Sequence, residues 1–227
     1  SIQLTLSDKD FDYLDSNKKE FVKTVLPIII NENQNILMIR SFVNELKGKL
    51  ETFRTLNNNE IRKLNDIAKK YNIKYQNKHK LDLVDEILSN VDVIPNSIVL
   101  AQAAIESGWG KSRFAKEYNA LFGEYTYDDS EGVIPLEREN GDTHLIKAFS
   151  SYSNSVESYF DNINSHYAYE DFRDIRNIMR KRNNFSNVNL LVNKLSTYAE
   201  DENYIKTIRQ VIKTNNFGIF DQKTISY

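Results

Sequence analysis

Apolar residues recur at helical spacing through most of this chain. Ile36, Ile39, Phe42, Val43, Leu46 and Leu50 fall three or four apart, as one face of an α-helix requires. Pro27, between Val25 and Ile28, lacks a backbone donor, so residues 16–55 read as two helical stretches with a kink or a helix start at the proline. Asn57-Asn58-Asn59 supplies a break and a cap, and the stripe Ile61, Leu64, Ile67, Ala68 and Tyr71 follows it. Leu81, Val84, Ile87 and Leu88 mark another short helix. Such stripes read as core, packed against their own domain.

From Pro95 the texture changes. Residues 97–105, Ser-Ile-Val-Leu-Ala-Gln-Ala-Ala-Ile, are apolar nearly all round, as a central buried helix would be, and Gly108 and Gly110 end it. Residues 123–149 read as β structure. Val133-Ile134-Pro135-Leu136 and His144-Leu145-Ile146 flank Glu139-Asn140-Gly141-Asp142, where Asn-Gly signals a hairpin. Beyond Ser153 the helical period returns in Val156/Tyr159/Phe160/Ile163, Phe172/Ile175/Ile178/Met179, Leu190/Leu191/Leu195 and Ile205/Ile208/Val211/Ile212. The pattern predicts a mainly α protein with a small β-hairpin lobe inserted after its central helix.

Composition narrows the chemistry. The 227 residues are 40% hydrophobic and 27% charged, enough apolar content to fill a core. Thirty basic residues against 32 acidic give a formal charge of −2, which argues against nucleic acid as partner and offers no polybasic membrane anchor. No cysteine occurs, so disulfides, thiolate zinc sites and cysteine nucleophiles are excluded. His79, His144 and His166 have no ligand spacing, and no metal or cofactor is expected. The run Val25–Ile30 is far short of the roughly 20 apolar residues of a membrane span. The chain opens at Ser1 without a signal peptide, as expected of an exported protein whose leader or anchor is absent from this sequence.

Gln102 and Glu106 are the polar groups of the greasy helix, one turn apart and so on one face. A carboxylate there is costly unless paired or functional, which leaves a buried ion pair or cap as one reading and catalysis as the other. Ser107-Gly108-Trp109-Gly110 follows, small residues that let a ligand approach, with the single tryptophan offering an aromatic surface. Apolar surroundings and the C-terminal end of the helix dipole would both raise the pKa of Glu106. A general acid that protonates a glycosidic oxygen near neutral pH needs such a shift.

Ile98-Val-Leu-Ala-Gln-Ala-Ala-Ile-Glu-Ser-Gly-Trp-Gly-Lys-Ser-Arg-Phe-Ala and the later Asn119-Ala-Leu-Phe-Gly123 closely resemble the signature of the bacterial glucosaminidase family of peptidoglycan hydrolases. Its members include flagellar rod-cap hydrolases and autolysins. Leu136–Gly141, Phe149–Tyr152, Asn164–Arg173 and Tyr198–Tyr204 are similar to further family segments, and Leu26–Phe42 looks like the helical N-terminal region of a Bax-like branch. The resemblance implies a lysozyme-like helical domain over 91–227 with its β lobe at about 123–149, and an N-terminal helical region over 1–90 packed on it. It implies an endo-β-N-acetylglucosaminidase acting on peptidoglycan glycan strands in the cell envelope, as a monomer without cofactor. Lytic transglycosylase or muramidase activity and a silent glycan-binding module are the alternatives.

Residue by residue, the resemblance makes Glu106 the catalytic acid, Glu137 the β-lobe carboxylate and Tyr198 an aromatic residue beside the acid. Gln102, Trp109, Phe122 and Glu139 become substrate-binding or site-shaping residues, with packing the other reading of Trp109. Inverting enzymes hold their two carboxyls about 6.5–9.5 Å apart and retaining ones about 5–5.5 Å, whereas an N-acetylglucosamine substrate can supply its own acetamido oxygen.

Overall fold

The computed structural model describes residues 4–135 and 141–224. The expected hairpin turn, with Glu137 and Glu139, lies outside the described residues. The rest is mostly helical. In chain order the elements are strand β1 (Leu4–Thr5), helices α1 (Ser16–Glu51), α2 (Asn58–Lys70), α3 (Lys80–Asn90), α4 (Asn96–Ser107) and α5 (Arg113–Tyr118), and strands β2 (Tyr125–Thr126), β3 (Gly132–Val133) and β4 (Leu145–Lys147). Helices α6 (Tyr152–Ser165), α7 (Glu170–Lys181), α8 (Val188–Val192) and α9 (Tyr204–Thr214) and strand β5 (Lys223–Thr224) complete them, with short 3-10 turns between.

Two compact units interleave along the chain. One takes residues up to Glu32, Pro95–Tyr159 and residues from Lys206 on; the other takes Asn33–Ile94 and Phe160–Ile205. In the first unit α4 is the centre: Ile98, Val99, Leu100, Ala101 and Ala103 have no exposed surface. The 3-10 turn Phe217–Phe220 packs on α4, both phenylalanines fully buried. Beside it Asn96 Nδ2 donates to the Phe220 carbonyl at 2.9 Å. The Asp221 carboxylate accepts from the Ser97 backbone N–H at 2.7 Å and from its hydroxyl at 2.8 Å. Asp221 thus caps the helix that Pro95, which offers no side-chain acceptor, cannot cap.

The lobe is a three-stranded antiparallel sheet in the order β2-β4-β3, so the expected hairpin β3–β4 has a further strand on the far edge of β4. Val133 pairs with Ile146, and Thr126 with Leu145. Gly132 is required where the strands crowd: a Cβ there would stand 2.5 Å from Leu145 Cβ. In the same unit β1 pairs in parallel with β5, Leu4 opposite Lys223.

Pro27 does not divide the first helix. Residues 16–51 form one helix with the proline inside it, where it deprives the Lys23 carbonyl of its partner and costs roughly 3 kcal/mol. Val22, Val25, Leu26 and Ile29 on either side are fully buried, and that packing outweighs the lost bond.

In the second unit α2 is capped by Asn57, whose side chain accepts from the Glu60 N–H at 2.9 Å while the Asn57 N–H donates to the Glu60 carboxylate at 3.0 Å, the expected cap. The stripe expected on α7 is altered. Phe172 and Met179 are buried, yet Ile178 is 46% exposed and Arg173 and Arg176 take interior positions. Arg176 bonds the Asn90, Asp92 and Val93 carbonyls, and Asp92 itself is fully buried. Arg180 meets the Asp92 carboxylate at 2.9 and 2.5 Å, and Arg40 Nε lies 3.4 Å from it. Burial alone would raise the Asp92 pKa, but bonding to Arg180 and the charges of Arg176 and Arg40 hold it below the usual carboxylate range. A period count reads arginine as a surface residue, and so it misses a helix that turns guanidinium groups inward to satisfy the α3–α4 connection.

Candidate active site

The site is built on the C-terminal end of α4. Gln102 and Glu106 lie on one face of the helix, Gln102 fully buried and Glu106 half-buried. Past Ser107 the backbone turns left-handed at three consecutive residues, Gly108 (φ 55°), Trp109 (φ 58°) and Gly110 (φ 76°). Only the glycines adopt this cheaply, and Trp109 stores strain of roughly 1–3 kcal/mol. Ser107 holds the turn together: its hydroxyl donates to the Ala103 carbonyl at 2.6 Å and accepts from the Gly110 N–H at 2.9 Å. The bends release the chain abruptly after Glu106, so its carboxyl stands at the open end of an otherwise buried helix.

Facing Glu106 is the segment Leu121–Glu124. Gly123 has φ 64°, and a Cβ added there would come within 3.2 Å of Glu106 Oε2, so the wall beside the carboxyl is bare backbone. The first half of α6 backs that wall. The Leu121 N–H donates to Ser155 Oγ at 3.1 Å, and the Phe122 ring stacks on Tyr159 with centroids 4.3 Å apart. The Tyr159 hydroxyl donates to Gln102 Oε1. Glu124 Oε2 accepts from Ser158 Oγ at 2.6 Å, and the Glu124 carbonyl accepts from the Lys147 N–H of β4 at 2.7 Å. Burial pushes the Glu124 carboxyl above its ordinary pKa, against the Ser158 bond and the charge of Lys147.

The expected residues therefore divide. Glu106, Gln102 and Phe122 come together in one unit, with Gln102 and Phe122 in its interior and joined through Tyr159. Trp109 stands in an aromatic cluster, its ring 5.7 Å from Phe21 and 6.0 Å from Phe217, with Lys18 Nζ 4.9 Å from its centroid. Tyr198 belongs to the other unit, stacked on Tyr204 with centroids 5.8 Å apart. Sequence reasoning missed Glu124 and the backing serines of α6. Glu124 directly follows the Leu-Phe-Gly run, but nothing local distinguishes an acid buried by α6 from one at the start of an exposed lobe. An open hollow of about 680 Å³ on the lobe, lined by Tyr127, Asp129, Gly132, Ile134, Thr143 and Leu145, contains none of these groups. Among the described residues no cluster suits a metal ion, and no helix is long and apolar enough to cross a membrane.

A half-buried carboxyl at a helix end, beside a wall of bare backbone, is placed as a general acid would need to be. The chain belongs to the Glucosaminidase family, described as mannosyl-glycoprotein endo-beta-N-acetylglucosaminidase, which residues 81–217 match. Protein Bax of Escherichia coli K12 is 33% identical over 184 residues, covering 80% of this chain and 63% of Bax. The peptidoglycan hydrolase FlgJ of the same strain is 35% identical over 92 residues, 36% of this chain and 29% of FlgJ. The chain thus spans less than two thirds of either relative. The catalytic domain of the autolysin Auto from Listeria monocytogenes superposes with a TM-score of 0.44 at 18% identity, over 85% of this chain and 97% of that domain.

Proposed function

We propose that this chain is a peptidoglycan hydrolase of the cell envelope, an endo-β-N-acetylglucosaminidase that cleaves glycan strands with Glu106 as general acid and without a cofactor. The observation that carries the reading is the half-buried Glu106 carboxyl at the end of α4, against the bare backbone of Gly123. The name of the relative FlgJ supports the substrate class. In this reading the missing Cβ leaves room for a sugar oxygen beside Glu106, which protonates the leaving glycosidic oxygen. Gln102 and Phe122 act from the interior by fixing α4 and the wall through Tyr159, and Trp109 fixes the turn that exposes Glu106. Glu137, with Glu139 nearby, is the candidate second carboxylate. Alternatively, the substrate's acetamido oxygen attacks, and Tyr198 takes the auxiliary role that the family resemblance implies.

The test is Glu106→Gln. The amide keeps the shape but cannot deliver a proton, so release of muropeptides from purified walls should fall by on the order of 10²–10⁴ with the fold unchanged. A folded variant with near-normal release would refute the assignment. Mass spectrometry of the wild-type products should find reducing-end N-acetylglucosamine; 1,6-anhydro muramoyl ends would identify a lytic transglycosylase instead.

A further inference from the structure

Among the titratable groups of the first unit, Glu124 has no role in the chemistry described so far. Its Oε1 is sealed from solvent and meets no hydrogen-bond partner among the described residues. An unsatisfied buried carboxyl oxygen costs free energy that an aliphatic residue of similar volume would not. Its surroundings suggest what the carboxyl is for. Glu124 is held on two sides, by Ser158 of α6 through its side chain and by Lys147 of β4 through its carbonyl. The next residue back is Gly123, which has the freest backbone torsions in the segment and on which a Cβ would stand 3.2 Å from Glu106 Oε2.

We propose that Glu124 is a positioning residue for Glu106: by gripping Ser158 it fixes the Gly123 backbone against the carboxyl of the acid. The inference rests on Glu106 being that acid. Leu121 is tied to Ser155, one turn before Ser158 on α6, and Phe122 to Tyr159, the residue after it. The Ser158 bond is therefore the last side-chain tie before the lobe begins at Tyr125. Without it, Gly123 loses a side-chain restraint on its left-handed torsions, and the wall beside the Glu106 carboxyl can swing. With Oε1 sealed from solvent and Oε2 held by Ser158, the Glu124 carboxyl acts here without touching substrate. Its contribution belongs to the chemical step and not to binding, because a misplacement of about 1 Å at a reacting group costs on the order of 10²-fold. Burial, which raises the proton affinity of Glu124, also keeps a second negative charge from forming easily behind the wall.

The experiment measures kcat and KM on solubilised glycan strands for the full chain and for Glu124→Ala, Glu124→Gln, Ser158→Ala and Glu106→Gln. Glu124→Ala should lower kcat about tenfold or more and leave KM within about twofold. Glu124→Gln still offers Ser158 an acceptor and should recover most of the wild-type kcat. Ser158→Ala removes one hydroxyl with little risk to folding and should reproduce the Glu124→Ala split, and so it carries the test if Glu124→Ala does not fold. Combining the two should cost no more than either alone, since both break one tie. Wild-type kcat in folded Glu124→Ala or in Ser158→Ala overturns the proposal. So does a rise in KM at constant kcat, or a Gln variant as impaired as the Ala variant. If Glu106→Gln stays active, the acid assignment itself has failed and the positioning role fails with it; if Glu106→Gln is dead while Glu124→Ala and Ser158→Ala turn over normally, only the positioning role is lost.

Discussion

At Gly123 two demands meet in one residue: left-handed torsions, and a Cβ position 3.2 Å from Glu106 Oε2. Gly123→Ala should destabilise the fold by roughly 1 kcal/mol through the torsion alone. It should also lower turnover more than that loss explains, because the methyl displaces the carboxyl. Thermal melting set beside muropeptide release separates the two, and full activity in a destabilised protein would mean that the wall does not matter. A larger effect is expected at Asp92. Asp92→Asn leaves Arg40, Arg176 and Arg180 facing an amide, and an uncompensated buried charge typically costs about 3–5 kcal/mol. A shift of the urea midpoint reports it, and a midpoint near wild type would refute the network's role. The contrast with Glu106 shows what a sequence discloses. Glu106 and Gln102 interrupt an apolar run and were visible from it. Asp92, between Val91 and Val93, and Glu124, between Gly123 and Tyr125, lie outside any helical period, and their burial comes from elements 30 or more positions away, Arg180 and Ser158 among them.

The behaviour of α4 as an element depends on Asp221, which caps it from the far end of the chain. Burial pushes the Asp221 pKa from 3.8 up to about 6, against the two bonds from Ser97. The folded state therefore keeps a proton that the unfolded chain releases near pH 4. Between pH 4 and 6 the folded state binds more protons, so stability falls as pH rises through that window and levels off above it. The shift of roughly two units corresponds to on the order of 2–3 kcal/mol. Asp221→Asn should flatten this slope, as read from melting temperatures at pH 4, 5, 6 and 7. An unchanged slope would assign it to another group. Periodicity and capping chemistry were enough to locate α2, α3 and α4, because those signals are local. The unbroken passage of α1 through Pro27 was not legible, since the burial that outweighs the proline is supplied by packing partners that a window of sequence does not contain.

For the whole molecule the relevant fact is that each unit draws on distant stretches of chain. Residues before Asp92 give the first unit Phe21, Val22, Val25, Leu26 and Ile29, and give the second Arg40 and the helices α2 and α3. A truncation beginning at Asp92 should therefore lose core from both units and aggregate, as gel filtration and dye binding would reveal. A soluble and active fragment would instead establish residues 91–227 as an independent domain. The β1–β5 pairing carries the same interleaving to its limit, setting Leu4 opposite Lys223. Contacts that span nearly a whole chain form late and slowly, because the closure entropy must be met before they contribute. The seam between β1 and β5 would thus be among the last parts of its unit to close. Asp221 follows Ser97 by more than a hundred residues, so during synthesis the helix that carries Glu106 stands for a time without the carboxylate that caps it.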